Sequence, residues 1–514
     1  MLFNAIPISV VATALTLTYL ASPPTLVTAA PNATPILPCL QAIPAAGGAQ
    51  LLTPSDKAFP QALLGADYRF TFKPVAIYTP ASVDQISKAV RCAAAAGVAV
   101  APRSGGHSYE GYSQGGLSGS LMIDLSKFAS VTVDASTNTA VVGPGIRLAP
   151  LYYKLWEAGQ YVFPGGTCPT VGFGGLTLGG GYGMTGRMFG LALDQVVEMT
   201  IVTADGTVDT VSATQNPDLF FALRGAGGGS YGIVTAFKIK LQRVAAKVTS
   251  FSYSWDSGKA AQVMAAYSAW GASNPSTKVT TELNWDSSGS VEIDGTYLGP
   301  KADIPGLMKV LTDISGAPSD KDVRESTYID SALRWTWTGE TDPSTMQDPV
   351  PQDARYMKGS SILYSKPISK ATIAVMAKHL AKKPAGATAA YAITDLWGGK
   401  VNAVAANATA FARRNNLFGI ELVVEWGDYQ SAPGKPDCAA CLDWIKQFLL
   451  DLVAQYRAEY GTQLVPAYQN YIDKNLPDWQ HAYYGDNWAK LVAIKGKTDP
   501  ENVFRFPQSI PVKV

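Results

Sequence analysis

The chain has 514 residues, of which 47% are hydrophobic and 16% are charged, and its net charge at pH 7 is +1. This length is enough for two packed domains, and the composition is that of an ordinary globular protein. The near-zero net charge gives no reason to expect nucleic acid or an anionic membrane surface as a partner.

The chain begins with a segment typical of a secretory signal. An apolar run extends from Ile6 to Leu20, and small residues follow it up to a possible cleavage site. The run is shorter than the ~20 residues that a membrane span needs. No Lys or Arg occurs before Lys57, so a single membrane anchor is the alternative. We expect residues 1–30 to be removed and the mature protein to be extracellular, without a membrane partner.

The first regular elements after this leader form a strand, a helix and a second strand between Pro74 and Val100, with the helix predicted over 82–96. The second strand leads into Gly105 and Gly106. Two adjacent glycines let successive backbone N–H groups converge on one point, which makes a cradle for a pyrophosphate. The alternative is a tight turn that exposes His107.

A longer glycine-rich segment, residues 164–183, follows a helix predicted over 147–158. Its glycines alternate with residues such as Val171, Phe173 and Tyr182, which are not typical of a flexible linker. Backbone without side chains can instead lie flat against a large planar ligand. A third such segment, residues 224–235, leads into another strand.

The remaining predicted elements divide the chain into two parts. Before residue 242 we predict further short strands and one further helix. Beyond residue 242, alternating polar and apolar residues predict an antiparallel sheet accompanied by helices. The first part has strands at 121–125, 131–133, 196–202, 208–211 and 232–241 and a helix at 216–223; the second has strands at 250–255, 280–285 and 291–297 and helices at 304–314, 368–380 and 441–460.

The chain has five cysteines, an odd number for an oxidising compartment. Cys39 lies in the N-terminal leader of the mature chain, beyond the signal segment, and a bond to Cys92 can tie this leader to the first helix. Cys438 and Cys441 could bond to each other, or bind zinc if two further ligands were present. With only three histidines in the chain we predict no metal site. Cys168 is left without a partner.

The three glycine segments and the C-terminal stretches 468–473, 484–487 and 494–504 resemble those of FAD-linked oxidases of the vanillyl-alcohol-oxidase type, in the berberine-bridge-enzyme-like group. The resemblance covers nearly the whole mature chain. It implies an α+β fold: an FAD-binding domain with two subdomains (PCMH type, about 70–242) within residues 31–242, a substrate domain with an antiparallel sheet at 243–465, and a C-terminal element at 466–514 that returns to the FAD domain.

The resemblance also implies FAD bonded at two points, through its 8α carbon to His107 and through ring carbon 6 to Cys168. Two bonds would raise the flavin's potential and fix it in an open site that suits a bulky substrate. Val171 is at a position associated with dioxygen access, which favours an oxidase over a dehydrogenase. The other residues expected to contact FAD are Arg103, Ser104, Gly105, Gly106, Ser108, Thr167, Gly172, Gly174, Gly175, Gly179, Gly181, Tyr182, Gly183, Gly232, Ile233, Val234 and Asn470.

Oxidation of an alcohol requires a base for the O–H proton. Tyr471 matches the tyrosine that serves as this base in the carbohydrate-oxidising branch, and Asp395 matches its acidic helper. A carboxylate charge alone would raise the pKa of the tyrosine, so the helper must act through a hydrogen bond or a shared proton. The alternatives are a packed aromatic at Tyr471 and a turn residue at Asp395.

Several further residues are candidates for substrate contact. Aromatic rings stack on the apolar faces of sugars, although each could equally belong to a core. Glu425 lies near the region where alkaloid-oxidising relatives carry a glutamate base and some sugar oxidases carry an amide. The full set of expected contacts is Tyr109, Glu282, Trp397, Glu425 and Tyr468.

The function that this resemblance implies is that of a secreted, monomeric oligosaccharide oxidase. It would oxidise the reducing-end C1 hydroxyl to a lactone and pass the electrons through FAD to O2. Glycosylation sequons at Asn32 and Asn407 fit secretion. The alternatives are an oxidase of alkaloids or other secondary metabolites, a sugar dehydrogenase, and a secreted binding protein without activity.

Overall fold

The computed structural model describes residues 35–347, 354–427 and 437–513. The predicted signal segment and Asn32 lie outside the described residues, whereas Asn407 lies in an exposed turn. Among the described residues, no helix combines the length and apolar character needed to cross a membrane.

The first sheet has four strands in the order β1-β2-β4-β3; β2, β4 and β3 are parallel and β1 is antiparallel. Its elements are β1 (Gln50–Leu52), β2 (Ala76–Thr79), β3 (Val100–Arg103) and β4 (Leu121–Asp124), with the helices α1 (Ile36–Gln41), α2 (Phe59–Leu63) and α3 (Val83–Ala95). Helix α3 begins at Ser82, whose side chain forms a capping box with Gln85.

A disulfide between Cys39 and Cys92 fastens α1 to α3, which confirms that these cysteines tie the leader to the first helix. The apolar face of α3, with Ile86 and Val90, packs in one buried cluster with Leu121 of β4. Residues 36–41 thus pack with the first sheet and its helix α3.

The second sheet has five strands, all antiparallel, in the order β5-β6-β9-β7-β8. Its elements are β5 (Val131–Asp134), β6 (Thr139–Val142), β7 (Val196–Val202), β8 (Val208–Ser212) and β9 (Ile233–Lys240), with the helices α4 (Leu148–Glu157), α5 (Phe173–Gly179), α6 (Gly186–Phe189) and α7 (Pro217–Ala222). All three glycine-rich segments therefore lie in or beside the first two sheets.

The third sheet is antiparallel and has seven strands in the order β13-β10-β12-β11-β15-β16-β14. Its elements are β10 (Val248–Trp255), β11 (Val279–Asp286), β12 (Val291–Tyr297), β13 (Asp320–Ser326), β14 (Tyr356–Tyr364), β15 (Ala387–Leu396) and β16 (Phe418–Trp426), with the helices α8 (Ala260–Ala272), α9 (Ile304–Ser315), α10 (Tyr328–Arg334), α11 (Lys370–Leu380) and α12 (Ala439–Tyr460). Alternation along β10 places Phe251, Tyr253 and Trp255 in the core.

The last residues return to the first half of the chain through α13 (Trp479–Tyr484) and α14 (Trp488–Thr498). The Tyr231 hydroxyl donates to the Leu491 carbonyl at 2.9 Å, and the Val100 N–H donates to the Val503 carbonyl at 3.0 Å. The architecture confirms the predicted α+β fold. A second disulfide joins Cys438 and Cys441 at the start of α12, so this pair is closed on itself.

Candidate active site

A cleft of about 390 Å³ lies among the three glycine segments. Two of these segments touch, because a Cβ on Gly105 would lie only 2.2 Å from the Gly172 nitrogen, whereas a Cβ on Gly175 would meet nothing within 4 Å. Glycine thus lets the segments meet and leaves bare backbone facing the cleft. The predicted FAD contacts that line it are Ser104, Gly105, Gly106, His107, Ser108, Cys168, Val171, Gly172, Gly174, Gly175, Gly232, Ile233, Val234 and Asn470.

His107 and Cys168 meet at the end of this cleft, since both approach the Thr170 hydroxyl. The distance from His107 Nε2 to Thr170 Oγ1 is 2.9 Å, and that from Cys168 Sγ is 3.6 Å. Cys168 is the one free cysteine and is partly exposed. Burial, helped by the charges of Arg147 and Arg355, lowers the pKa of His107 to about 3. The imidazole is therefore neutral at physiological pH and keeps a nitrogen lone pair for bond formation.

A smaller cavity of about 240 Å³ adjoins the cleft, and seven residues line both spaces. It lies between the second glycine segment and the polar face of β11, β15 and β16. Five residues predicted to act on or bind the substrate line it, together with one that sequence analysis did not single out, Glu421. These six residues are Tyr471, Asp395, Tyr109, Glu282, Tyr468 and Glu421.

Two tyrosines and Glu421 form the centre of the small cavity. The rings of Tyr109 and Tyr471 are stacked, with centroids 5.8 Å apart, and the Tyr109 hydroxyl donates to Glu421 Oε1 at 2.5 Å. Burial raises the pKa of Tyr471 well above its usual value, and the charges of Glu421 and Asp395 raise it further. Burial also raises the pKa of Glu421 to about 7, against the hydrogen bonds from the two tyrosines.

Asp395 and Glu282 are directly opposite each other on β15 and β11. Burial, together with the charge of Glu421, raises the pKa of Asp395 to about 8, and burial with the charge of Asp395 raises that of Glu282 well above its usual range. The described residues that line this cavity include no Lys, Arg or His to balance these charges. Asp395 therefore holds its proton in most molecules at neutral pH, whereas Glu421 is close to half ionised, so the pair can exchange protons with a bound hydroxyl group.

Comparison with known families and proteins identifies the chain. The profile of a family described as "FAD binding domain" matches residues 74–212, and that of "Berberine and berberine like" matches residues 467–511. A xylooligosaccharide oxidase from Thermothelomyces thermophilus is 32% identical over 86% of this chain and 88% of its own length. The chain belongs to the berberine bridge enzyme-like family of FAD-dependent oxidoreductases.

Solved structures of this family superpose on the whole fold. Berberine bridge enzyme-like protein 1 from Physcomitrella patens is 37% identical, with a TM-score of 0.84 over 94% of this chain and 100% of its own. A glucooligosaccharide oxidase from Acremonium strictum, whose FAD is 6-S-cysteinyl and 8α-N1-histidyl, is 26% identical, with a TM-score of 0.81 over 93% of this chain and 99% of its own.

The residues of the glycine-lined cleft fit FAD, the cofactor that the matched FAD-binding domain implies. Backbone from three glycine segments faces the space, and bare N–H groups suit a pyrophosphate. Cys168 lines both the cleft and the small cavity, and His107 lies beside it, since both approach the Thr170 hydroxyl. A flavin held by these two residues would meet a substrate where the two spaces join.

Some predicted FAD contacts lie outside the cleft. Arg103 forms an ion pair with Asp124 and lines neither space. Gly179 and Gly181 also line neither, because they lie against the C-terminal segment: the Gly181 N–H donates to the Tyr468 hydroxyl at 2.8 Å. Three others line the small cavity instead, namely Thr167, Tyr182 and Gly183.

Two predicted substrate contacts are placed away from the small cavity. Trp397 is only 1% exposed and lines neither space. It stacks on Tyr182 with ring centroids 4.5 Å apart and so packs against one face of that ring. Glu425 lines the cleft rather than the small cavity, and it accepts hydrogen bonds from Arg355 at 2.6 Å and from Tyr391 at 2.8 Å.

Proposed function

We propose that this protein is a secreted oxidase that converts the reducing-end C1 hydroxyl of an oligosaccharide to a lactone, with O2 reduced to H2O2. The observation that carries the proposal is the convergence of Tyr471, Asp395 and Glu421 on one cavity that Cys168 also lines. Bound FAD would supply the hydride acceptor and pass the electrons to O2.

His107 and Cys168 are proposed to hold FAD covalently. A neutral imidazole and a thiol outside any disulfide lie within reach of one threonine hydroxyl at the same end of the cleft. The glucooligosaccharide oxidase of Acremonium strictum, which has this fold, carries FAD bonded through a histidine and a cysteine. Attachment through two residues would hold the cofactor in place without a lid over the cavity.

Tyr471 is the proposed base for the C1 hydroxyl. Its raised pKa means that it does not lose its proton to solvent. The hydroxyl can act as a base only if it passes its own proton to a carboxylate while it accepts the substrate's proton. Glu421 and Asp395 are the proposed recipients, because both line the same cavity as Tyr471 and carboxyl pKa values of about 7 and about 8 suit proton exchange near neutral pH.

The small cavity suits the terminal unit of a sugar chain. Its volume of about 240 Å³ is below the roughly 300–1,000 Å³ of pockets that enclose drug-sized ligands. The rings of Tyr109 and Tyr468 offer surfaces for an apolar sugar face, and Glu282 offers a hydrogen-bonding partner for its hydroxyls. One unit would enter, and the rest of the oligosaccharide would extend outward.

A peroxide assay on the purified holoprotein tests this function. We expect stoichiometric H2O2 and lactone from at least one of cellobiose, lactose, xylobiose and chitobiose, with glucose as the monosaccharide comparison. Electron acceptors other than O2 should not be needed if the protein is an oxidase. Absence of peroxide with all five sugars would remove the proposed activity.

A second candidate is an oxidase of alkaloids or other secondary metabolites, and Glu421 is the observation that favours it. This carboxyl lines the small cavity beside Tyr109 and Tyr471, where it could itself act as the base. The Glu421→Gln variant separates the two candidates. If the protein oxidises sugars, this variant should lose only part of its sugar oxidation rate, since Asp395 remains. If the protein oxidises alkaloids, the variant should no longer oxidise an aromatic amine.

Extracellular location, glycosylation and a monomeric state are further parts of the proposal. Exposure of Asn407 and the two disulfides support the secretory route. A downward mass shift on endoglycosidase treatment and a monomeric mass in light scattering are expected. Loss of the mass shift in Asn407→Gln would identify the site.

A further inference from the structure

A buried ion cluster, composed of Lys358, Glu110 and Asp473, lies outside the two cavities. The Lys358 ammonium donates to one carboxylate oxygen of Glu110 and one of Asp473, and all three side chains are at most 3% exposed. A lone buried lysine would be strongly unfavourable, and paired carboxylates offset that cost only when the geometry is well defined. The Lys358 cluster therefore fixes the relative positions of the three segments that contribute to it.

Those segments carry the two tyrosines of the small cavity. Glu110 directly follows Tyr109 in the first glycine segment, and Asp473 is two residues beyond Tyr471. Lys358 itself precedes Gly359 of β14, which packs so closely on the Tyr109 ring that an added Cβ would lie 2.4 Å from Cε2. The cluster thus links both tyrosines to one strand of the third sheet.

The segment that carries Tyr471 is attached to β14 on both sides of this residue. On one side, the Tyr468 N–H donates to Ser361 Oγ at 3.0 Å. On the other, Asp473 accepts from Lys358, and its own N–H donates to the Tyr483 hydroxyl at 2.9 Å. Removal of the Lys358 contact would leave the Tyr471 segment attached to β14 on one side only.

We propose that Lys358 is a positioning residue for the oxidation. Through Asp473 it holds the hydroxyl of Tyr471 in position, and through Glu110 it holds the ring of Tyr109 in position. This inference rests on the proposed function, which gives Tyr471 the proton transfer and Tyr109 the contact with the sugar. Because the two tyrosines have different roles, loss of the Lys358–Asp473 contact and loss of the Lys358–Glu110 contact should have different kinetic effects.

Anaerobic stopped-flow experiments can distinguish the two contacts. They measure reduction of the holoenzyme flavin by the sugar that is most active in the peroxide screen. Asp473→Asn and Glu110→Gln each leave Lys358 with one carboxylate, so both variants keep a balanced pair. We expect Asp473→Asn to slow reduction at saturating sugar by about 10- to 100-fold, as misplacement of a reacting group does, with the sugar Kd little changed. Glu110→Gln should instead raise the Kd about 5- to 10-fold, with a smaller change in rate.

The pair Lys495 and Asp499 provides a matched control, since both side chains are 0% exposed and lie four residues apart on the C-terminal element. Asp499→Asn should lower the melting temperature and leave both constants unchanged per bound flavin. In Lys358→Met combined with Glu110→Gln and Asp473→Asn, no charge is left unpaired, and both defects should appear together.

The inference is overturned if Asp473→Asn and Glu110→Gln keep the parent constants, or if they lower only stability and flavin content as Asp499→Asn does. It is also overturned if the two variants show the same kinetic defect. If no sugar reduces the parent flavin, the proposed function fails instead. The visible spectrum of the bound flavin then tests whether Lys358 positions groups near the flavin. This spectrum should change in Asp473→Asn and not in Asp499→Asn.

Discussion

Glu421 is central to the proposed proton transfer in the small cavity. Its Oε1 accepts from the Tyr109 hydroxyl, and its pKa of about 7 lies next to the value of about 8 for Asp395. The two carboxyls interact, so they titrate as a pair rather than as separate groups. At least one of them must be ionised before Tyr471 can pass on its proton.

We therefore expect flavin reduction by sugar to accelerate as pH rises through about 7 to 8, the range in which these carboxyls lose their protons. Stopped-flow kcat/KM profiles measure this dependence. Glu421→Gln should lower the rate by about 10²-fold and leave one ionisation in the profile. A rate that falls with pH in the parent enzyme would show that a protonated carboxyl is required instead.

His107 and Cys168 give a second prediction at this scale. Each single substitution, His107→Ala or Cys168→Ala, should leave flavin on the protein through the other bond, and only the double variant should lose it. Flavin fluorescence in a denaturing gel measures the outcome. Loss of all flavin from one single variant would mean that one bond alone holds the cofactor.

The sequence singled out five residues of the small cavity as acting on or binding the substrate, and it named Glu425 as a candidate contact but not Glu421. Glu421 and Glu425 lie four apart on β16, so their side chains share a face. Only the structure shows that the small cavity ends at Val423 and that Glu425 lies beyond it, paired with Arg355. No local pattern distinguishes two glutamates on one face.

At the scale of elements, only part of the third sheet was predictable from alternation. Alternation predicted β10, β11 and β12. All nine residues of β16 are buried, so its sequence reads as a mixed run without a period of two. The neighbouring β14 is buried along almost its full length for the same reason.

The contact between β14 and Tyr109 leads to a prediction about Gly359. Gly359→Ala would force the Tyr109 ring to move, because the new Cβ would lie 2.4 Å from it. We expect the KM for sugar to rise several-fold, with folding retained, as steady-state kinetics and circular dichroism can measure. Gly306→Ala in α9 is the control, since its Cβ would meet nothing within 4 Å and alanine favours a helix. Equal KM values in the two variants would contradict the contact.

For the whole molecule, motifs rather than periodicity predicted the path of the C-terminal residues. The glycine segments and the C-terminal stretches indicated a fold in which the last residues return to the first half, and hydrogen bonds such as Val100 to Val503 make that return. Sequence patterns cannot reveal how far the third sheet extends over the cleft. The Lys358 cluster illustrates this limit, since its members are separated by more than 100 residues.

The buried carboxyls also predict how stability depends on pH. Folded-state pKa values of about 7 for Asp294 and Glu421 and about 8 for Asp395 lie above their unfolded values. Such groups stabilise the fold while protonated, and this contribution is lost as pH rises through the folded values. We expect the free energy of unfolding to fall from about pH 4, where these carboxyls ionise in the unfolded chain, to about pH 8, and to level off above that. In urea titrations Asp294→Asn should show a smaller fall; an equal or larger one would contradict the assignment.

Anaerobic bleaching of the bound flavin by an oligosaccharide tests the central claim most directly, because it requires the cofactor, the sugar and the base together. The parent enzyme should lose its visible flavin absorbance on addition of the sugar that gives peroxide. Tyr471→Phe, which keeps the ring and removes the hydroxyl, should bleach about 10²- to 10⁴-fold more slowly. Failure of every sugar to bleach the parent flavin, or equal rates in Tyr471→Phe, would contradict the account.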